Sequence, residues 1–401
     1  MRKRGRVVAS AAGLLAGIAH AQSGVTLYGV VDSGITYQSS QTKLGSTTGG
    51  KANVRTTTGS WAGNRFGLKG AEDLGGGTKV IFQLESGFNL NTGEHQYNQA
   101  LFGRQAWVGL THPAYGTLTA GRQYTSYYSL LSAYSPTNWL TGFYGAHPGD
   151  IDGLDSLYRT NNALVYTSPK LYGFTVSGSY AFAGIPGSVS QGSTWSGAIQ
   201  YTNGPAGIAA GLTRSNNATP GGGVYSAAST THSGGQPGLS ALTNGYQSAQ
   251  AQQRFAVTAG YKFSSTWDMA LSYSNVQYIP GVASKYTDTA IFNTAGAVLH
   301  WKPDVAWDFA TGYSYTWATQ ANGIKNAAQY HQVTLSEYYT LSKRTGLYAL
   351  QGFQRANGQT LGTAGAGKII GATATIGDGF QSAPASSASQ FAASVGIVHR
   401  F

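Results

Sequence analysis

The end of the chain shows its clearest pattern of apolar and polar positions. Residues 391–401 alternate between an apolar face, which carries Phe391, Val395, Ile397 and Phe401, and a face of mostly small or polar residues. A period of two predicts a β-strand with one apolar face. Because chain ends usually fray into water, a terminal Phe401 favours a strand whose apolar face is covered by lipid.

The same alternation recurs along the chain. Residues 173–182, 254–263 and 305–315 each carry aromatic and aliphatic side chains on one face and small or polar side chains on the other. In 254–263, for example, the polar face carries Arg254 and Lys262. Apolar-out and polar-in alternation predicts strands that face lipid around a water-filled interior.

Short turn signals alternate with long polar segments. The short ones are 70–78, 112–116, 168–173, 203–206, 263–266, 302–305 and 342–345. The long ones are rich in Gly, Ser, Asn and Gln, and they are 38–60, 91–100, 124–160, 184–193, 215–252, 280–288, 319–329 and 357–389. Seven short and eight long connections join sixteen strands, and short turns at one end with long loops at the other are typical of membrane barrels. We therefore predict an all-β fold, a 16-stranded antiparallel transmembrane β-barrel.

Two side chains fit this pattern poorly. Glu337 shares its face with Val333 and Leu335, which would aim a carboxylate at lipid. Either a β-bulge re-aims it or it lies at a contact between subunits. Gln105 shares a face with Trp107, which suits a protein contact better than lipid.

The amino terminus and the composition agree with export to a membrane. Residues 1–21 combine a basic start, an apolar stretch and an Ala-His-Ala ending, so a signal peptide is expected there and a mature barrel over 22–401. Removing the four basic residues of that segment lowers the formal net charge of +11 by four. Charged residues make up 10% of the chain, against about 25% in ordinary soluble domains. The absence of Cys excludes a disulfide framework and Cys-ligated metals.

Several strings of the sequence resemble Gram-negative general porins of the β-proteobacterial type. They follow the family's order along the chain: Val25–Gly34, Asn64–Gly77, Leu84–Asn89, Phe102–Leu110, Tyr115–Tyr124, His147–Asp150, Asn162–Ser168 and Leu341–Thr345. One departure is Val398, where this branch of the family often carries a basic residue before His-Arg-Phe. The long loops 215–252 and 357–389 match no part of the family pattern.

The resemblance implies a homotrimer of sixteen-stranded barrels in the outer membrane of a Gram-negative bacterium, each a diffusion channel. The segment 124–160 would be the constriction loop, which folds into its own barrel and narrows it. Phe401 would end the barrel-closing strand and serve as the signal for the barrel assembly machinery, and outer-membrane lipid, including lipopolysaccharide, would surround the barrel. No enzyme activity and no cofactor are expected. Basic residues scattered singly along strands do not favour nucleic acid as a partner.

In such porins, arginines of the wall face acidic residues on the inserted loop. The matching wall positions are Arg65, Arg104 and Arg159. Strand parity also turns Arg65 and Arg159 inward, whereas the inward aim of Arg104 rests mainly on the resemblance. Parity adds four weaker pore-lining candidates, which are Lys69, Lys79, Arg254 and Lys262. Each arginine could alternatively balance an inward carboxylate such as Glu85.

The acidic candidates are Asp150, Asp152 and Asp155, which lie in the segment 124–160. Placed opposite arginines, they would create a field across the channel, and charged side chains that line a pore discriminate between ions. Calcium binding is the weaker alternative, because the spacing lacks the Gly and Glu of an EF-hand loop. No other metal site is expected.

These features predict a passive channel for small hydrophilic solutes that prefers anions. The alternatives are a channel that prefers one substrate, or a surface receptor or adhesin that acts through the loops 215–252 and 357–389. A barrel enzyme is disfavoured, because no Ser/His/Asp arrangement is evident along the chain.

Overall fold

The computed structural model describes residues 24–97, 100–155, 159–218, 229–231, 240–362, 368–378 and 384–401. The predicted signal peptide, residues 1–21, lies outside the described residues. Within the described part of the chain, no helix is both long and apolar enough to cross a membrane.

Antiparallel strands close into one barrel, as predicted. Its strands are β1 (Gly24–Gln41), β2 (Lys51–Thr58), β3 (Arg65–Gly75), β4 (Thr78–Gly87), β5 (Gln105–His112), β6 (Gly116–Gln123), β7 (Thr160–Thr167), β8 (Phe174–Ala181), β9 (Thr194–Asn203), β10 (Ala206–Asn216), β11 (Ala251–Lys262), β12 (Trp267–Ile279), β13 (Ala290–Trp301), β14 (Trp307–Ala318), β15 (Gln329–Thr340), β16 (Thr345–Asn357) and β19 (Ser389–Arg400). The last long loop contains the small hairpin of β17 (Gln359–Leu361) and β18 (Ile369–Gly371). The segment between β6 and β7 contains α1 (Ser126–Leu131), α2 (Thr137–Leu140) and α3 (Gly142–Gly145).

Strands β2 and β3 form one barrel strand that is interrupted at residues 59–64. Strand β2 pairs with the second half of β1, and β3 pairs with its first half. The buried carboxylate of Asp32 holds the interruption, because its Oδ2 accepts the N–H groups of Trp61 (2.6 Å) and Ala62 (2.8 Å), while its own N–H donates to Asn64 Oδ1 (2.5 Å). Side chains thus supply hydrogen-bond partners for the backbone groups that have none in the β-ladder at this point. Counted this way, the barrel has the sixteen strands that the turn pattern predicts.

The first and last strands close the barrel. β1 and β19 pair in continuous register from Val30 opposite Arg400 to Gln38 opposite Ala392. Phe401 continues this pairing through two backbone bonds with Gly29, of 3.0 and 3.1 Å. The ring of Phe401 lies over Gly29, where any side chain would collide with it.

The outer face carries the predicted apolar side chains, and its rings gather near the short turns. Trp267 stacks on Trp301 with ring centroids 5.6 Å apart, and Trp307 packs on Tyr339 at 4.7 Å. Such aromatic girdles mark the level where a barrel leaves the hydrocarbon layer.

The pairing decides how Glu337 is oriented. Its strand β15 pairs with both neighbours without a register shift, so no bulge re-aims the side chain. Glu337 lies directly opposite Phe309 and Ala349 and stays on the outward face. Gln105 differs, because it lies opposite Glu85, whose carboxylate faces the interior, so its side chain points inward and not toward a contact on the outer face. Its Oε1 accepts the indole N–H of Trp107 at 2.9 Å.

Two connections were predicted too long. The turn predicted over 70–78 is shorter, because β3 runs to Gly75 and its ladder with β4 absorbs a bulge between Asp73 and Gly75. The long loop predicted over 38–60 is shorter as well, because β1 continues to Gln41 and β2 begins at Lys51. Polar and glycine-rich residues can pair in a strand when neighbouring strands supply the partners.

The interior is not water-filled throughout. Near the long loops a buried cluster packs inside the barrel, and it includes Tyr246, Tyr278, Phe292, Tyr330 and Leu361. These inward positions of β12, β13 and β15 are aromatic, so the loops that cross the barrel can pack on them. The predicted aqueous interior is therefore restricted to other parts of the barrel.

Candidate functional site

A cavity of about 410 Å³ lies between the inserted segment that follows β6 and the barrel wall, which contributes the interruption at 59–63, Arg65 of β3, Tyr97 and Arg104 before β5 and Arg159 before β7. We call it the constriction cavity. The charged residues that line it are Arg65, Arg104, Arg159, Asp155 and Asp378. The structure thus brings together all three predicted arginines and one of the three predicted aspartates.

Arg65 and Arg104 meet at the carboxylate of Glu85. Arg104 Nε donates to Glu85 Oε1 at 2.7 Å, and Arg65 Nε lies 3.8 Å from Oε2. The hydroxyl of Tyr28 donates to the same Oε2 at 2.9 Å. Arg104 and Glu85 are buried, whereas the Arg65 side chain is 27% exposed. One carboxylate therefore orients two guanidiniums, and Arg65 is the more accessible of the two.

Arg159 is buried between two tyrosines. Its Nη1 donates to the hydroxyl of Tyr97 (2.5 Å) and its Nη2 to that of Tyr124 (2.8 Å). The guanidinium also lies 4.8 Å from the ring centroid of Tyr124 and 5.6 Å from that of Tyr97, which is cation–π geometry. Planar arginine suits such a stacked and hydrogen-bonded site.

Arg122 is a basic residue that sequence reasoning missed. Its guanidinium lies 5.5 Å from the ring of Tyr97, on which Arg159 also packs. Its Nε donates to the carbonyl of Gly103 at 2.7 Å. It stands inside the family string 115–124, so the resemblance contained a signal for it. It lies behind the cavity lining and adds positive charge there.

The inserted segment is fastened to the wall by polar bonds. Thr258 Oγ1 donates to the carbonyl of Leu131 at 3.0 Å, and Ser336 Oγ donates to that of Trp139 at 2.9 Å. Arg254 Nε donates to the carbonyl of Ile151 at 3.0 Å. Arg254, a predicted pore-lining residue, therefore holds the inserted segment and does not line the constriction cavity.

Asp152 is paired away from the cavity. Its Oδ2 accepts from His147 Nδ1 (2.5 Å) and from Ser274 Oγ (2.8 Å), and both members of the ion pair are buried. Burial alone would lower the pKa of His147, but the neighbouring Asp152 carboxylate outweighs it and raises that pKa. Burial would raise the pKa of Asp152, and His147 outweighs it and holds that pKa below its ordinary value. Asp152 thus fixes the segment's shape.

Asp150 and Asp155 lie next to each other. Asp150 is buried, and its Oδ1 accepts the backbone N–H of Asp155 at 2.9 Å. Burial and the Asp152 charge raise the pKa of Asp150 to about 7. Burial, together with Asp150 and Asp378, raises the pKa of Asp155 well above its ordinary range. Like charges in one place disfavour joint ionisation, so the two carboxyl groups lose their protons less readily than an ordinary aspartate does.

The remaining predicted basic residues lie apart from the constriction cavity. Lys69 Nζ lies 5.4 Å from the ring centroid of Tyr28. Lys79 and Lys262 are exposed near the short turns, where Lys262 is opposite Asp268. Among the described residues there is no group of three or more His, Asp or Glu placed to hold a metal ion.

Comparisons with known proteins agree with this architecture. A family model described as Gram-negative porin matches residues 8–359. An outer membrane porin protein of Bordetella pertussis is 35% identical over 183 residues, which are 43% of this chain and 47% of that protein. Outer membrane porin protein 32 of Delftia acidovorans is 32% identical over 221 residues, which are 51% of this chain and 58% of that protein. The matches thus span about half the length of these relatives.

Solved structures show the same fold. An anion-selective porin from Comamonas acidovorans superimposes with a TM-score of 0.67 at 23% identity, over 95% of this chain and 100% of that one. The trimer form of OmpT, an outer membrane protein of Vibrio cholerae folded in vitro, gives a TM-score of 0.63 at 15% identity, over 94% of this chain and 99% of that one.

Proposed function

Because the chain belongs to the Gram-negative porin family, we propose that it forms a water-filled channel for the passive diffusion of small hydrophilic solutes and ions. It is a β-barrel of the Gram-negative outer membrane and not an enzyme. The constriction cavity, which lies between the inserted segment, Arg65 of β3 and the loop that precedes β5, is the narrow part of the proposed route.

We further propose that the channel prefers anions. The observation that carries this proposal is the convergence of Arg65, Arg104 and Arg159 on one cavity, with Arg122 behind them. Arginine stays protonated at all relevant pH values, whereas Glu85 compensates one of these charges. The structural neighbour from Comamonas acidovorans is an anion-selective porin, and this supports the same preference.

A reversal potential tests this proposal directly. The purified protein is inserted into a planar bilayer that separates two concentrations of KCl, and the potential at zero current is measured. If the channel prefers anions, the reversal potential has the sign of the chloride equilibrium potential. A potential of zero, or one with the sign set by potassium, would overturn the anion preference.

We propose a homotrimer as the assembled form, surrounded by outer-membrane lipid that includes lipopolysaccharide. The outward carboxylate of Glu337 supports it, because a polar group on a barrel's outer face is better satisfied by protein than by hydrocarbon. The OmpT structure of Vibrio cholerae is described as a trimer form. A molar mass of three chains in detergent is expected from light scattering, and a mass of one chain would refute the trimer.

A further inference from the structure

The last long loop, between β16 and β19, enters the barrel through residues 372–378. Gln354, on the inner face of β16, holds it at two points: its Nε2 donates to the carbonyl of Thr375 (3.0 Å), and its Oε1 accepts the N–H of Thr375 (2.7 Å). Gln390 Oε1 accepts the N–H of Ile376 at 2.8 Å. Thr375 and Ile376 are fully buried. Two side-chain amides of the wall therefore fix the path of this segment.

Apolar packing brings the same segment against the inserted segment 124–159. Ile376 belongs to one buried cluster with Phe143 and Tyr144 of α3 and with Leu350 of β16. The next charged residue along the loop is Asp378, which lines the constriction cavity together with Asp155. A loop that matched no part of the family pattern thus contributes a carboxylate to the narrow part of the barrel.

Asp378 acts electrostatically on both aspartates of the inserted segment. Its charge is one cause of the raised pKa of Asp150 and of Asp155. Asp150 and Asp155 are already joined by the hydrogen bond from the Asp155 N–H to Asp150 Oδ1 (2.9 Å). We call Asp150, Asp155 and Asp378 the acidic trio.

We propose that Asp378 is a selectivity-determining residue: its carboxylate lines the constriction cavity with Asp155, opposite the arginines, and sets both the size of the anion preference and its dependence on pH. The proposal rests on the proposed anion-preferring channel and names a residue that sets the size of that preference. Like charges held together in a site of reduced dielectric cannot all ionise at once.

Other charged and titratable groups face the trio from the surrounding elements. They are Arg65, Arg104 and Arg159 across the cavity, Arg254 on β11 beside Asp150, the His147–Asp152 pair, and the tyrosines Tyr97, Tyr124 and Tyr128. The arginines keep their charge throughout, and the buried His147–Asp152 pair has no net charge while both partners are ionised. Asp150 and Asp155, whose pKa values are raised, are therefore the groups in and beside the cavity whose charge changes as the pH rises above the ordinary carboxyl range.

The direction of the effect follows from the sign of the charge. At acidic pH the trio is largely protonated, the arginines dominate, and the anion preference is large. As pH rises, the trio loses its protons and becomes more negative, so the anion preference falls. Replacing Asp378 by Asn removes one negative charge and also removes its repulsion, which lets Asp155 ionise at lower pH.

Bilayer recordings of the full-length protein test the proposal through a pH series from about pH 5 to about pH 9. For Asp378→Asn we expect an anion-to-cation permeability ratio about threefold higher than wild type at the alkaline end, from the loss of one screened charge. We also expect the midpoint of the pH dependence to shift to lower pH. Asp378→Glu keeps the charge and should retain the wild-type profile.

A matched control changes the same charge elsewhere. Glu94 is exposed on another long loop, and Glu94→Gln should leave both the ratio and the midpoint unchanged. If Asp378→Asn leaves both quantities at wild-type values, the proposal is overturned. If Asp378→Asn fails to form channels, the wild type and Asp378→Glu still decide. A wild-type permeability ratio that does not change with pH, or a shifted midpoint in Asp378→Glu, overturns the proposal. A wild-type ratio that changes with pH, with the same midpoint in Asp378→Glu, supports it. A wild-type channel that prefers cations throughout refutes the proposed anion preference, while a shift in Asp378→Asn would still support the role of Asp378.

Discussion

Arg65 offers the most direct test of how the constriction selects ions. Its side chain is partly exposed and lies 3.8 Å from Glu85, whereas Arg104 keeps its own 2.7 Å bond to the same carboxylate. Arg65→Gln therefore removes one charge from the cavity and leaves the Arg104–Glu85 pair in place. We expect the variant to fold and to lose part of the anion preference.

The size of the effect follows from Coulomb's law. An ion that passes about 5 Å from a guanidinium in water interacts with it by about 0.8 kcal/mol, and screening in dilute salt reduces this to about 0.5 kcal/mol. The same guanidinium repels a cation by the same energy. The substitution therefore removes both the attraction for the anion and the repulsion of the cation. The anion-to-cation permeability ratio should therefore fall about fivefold, and less at high salt.

The assay is the reversal potential of single variants in a planar bilayer under one salt gradient. The control is Arg344→Gln, which removes the same charge from an exposed turn at the end of the barrel and should leave the ratio unchanged. A ratio for Arg65→Gln equal to wild type would refute the reasoning, because it would mean that permeating ions do not pass the Arg65 guanidinium.

Two further predictions concern stability. Asp152→Asn leaves His147 buried without its countercharge, and this should cost about 3–5 kcal/mol of unfolding free energy, seen as a lower thermal midpoint and noisier channel currents. Because the folded pKa of Asp152 is depressed and that of His147 is raised, the wild-type pair should stabilise fully between pH 3.8 and 6.5. It should lose this contribution below the folded pKa of Asp152 and above that of His147, and a thermal midpoint that stays unchanged when the pH is taken beyond these two limits would argue against it. Gly29→Val should collide with the Phe401 ring and lower the unfolding free energy by about 1–3 kcal/mol, whereas Gly24→Val, in open space on the same strand, should be tolerated. Equal unfolding midpoints for the two glycine variants would contradict the predicted collision at the barrel closure.

The barrel could be predicted because its signal is local and repeated. Alternation with a period of two, seven short turns and eight long loops specify strand number and strand facing without knowledge of any long-range contact. The two connections that were predicted too long, at 70–78 and 38–60, fall where polar or Gly-rich residues pair as strand. Pairing there depends on neighbouring strands, which sequence periodicity does not reveal.

The constriction could be predicted in part. Strand parity and the family strings pointed to Arg65, Arg104 and Arg159, and all three line one cavity. The acidic side was harder, because the segment 124–159 has no periodicity. Nothing in its sequence distinguishes Asp155, which lines the cavity, from Asp152, which is paired with His147.

The sequence by itself determined the class of this protein: an exported all-β chain whose strands face lipid and close between its first strand and Phe401. That information is carried by short-range alternation, which every strand repeats. Only the tertiary structure decided which charges meet, because loops far apart in sequence enter one interior. Asp378 joins Asp155 across more than half of the chain through two glutamine amides of the wall and the packing of Ile376. Such a contact depends on where the loop backbone finds hydrogen-bond partners inside the barrel. The alternation of apolar and polar residues along the chain does not reveal those partners.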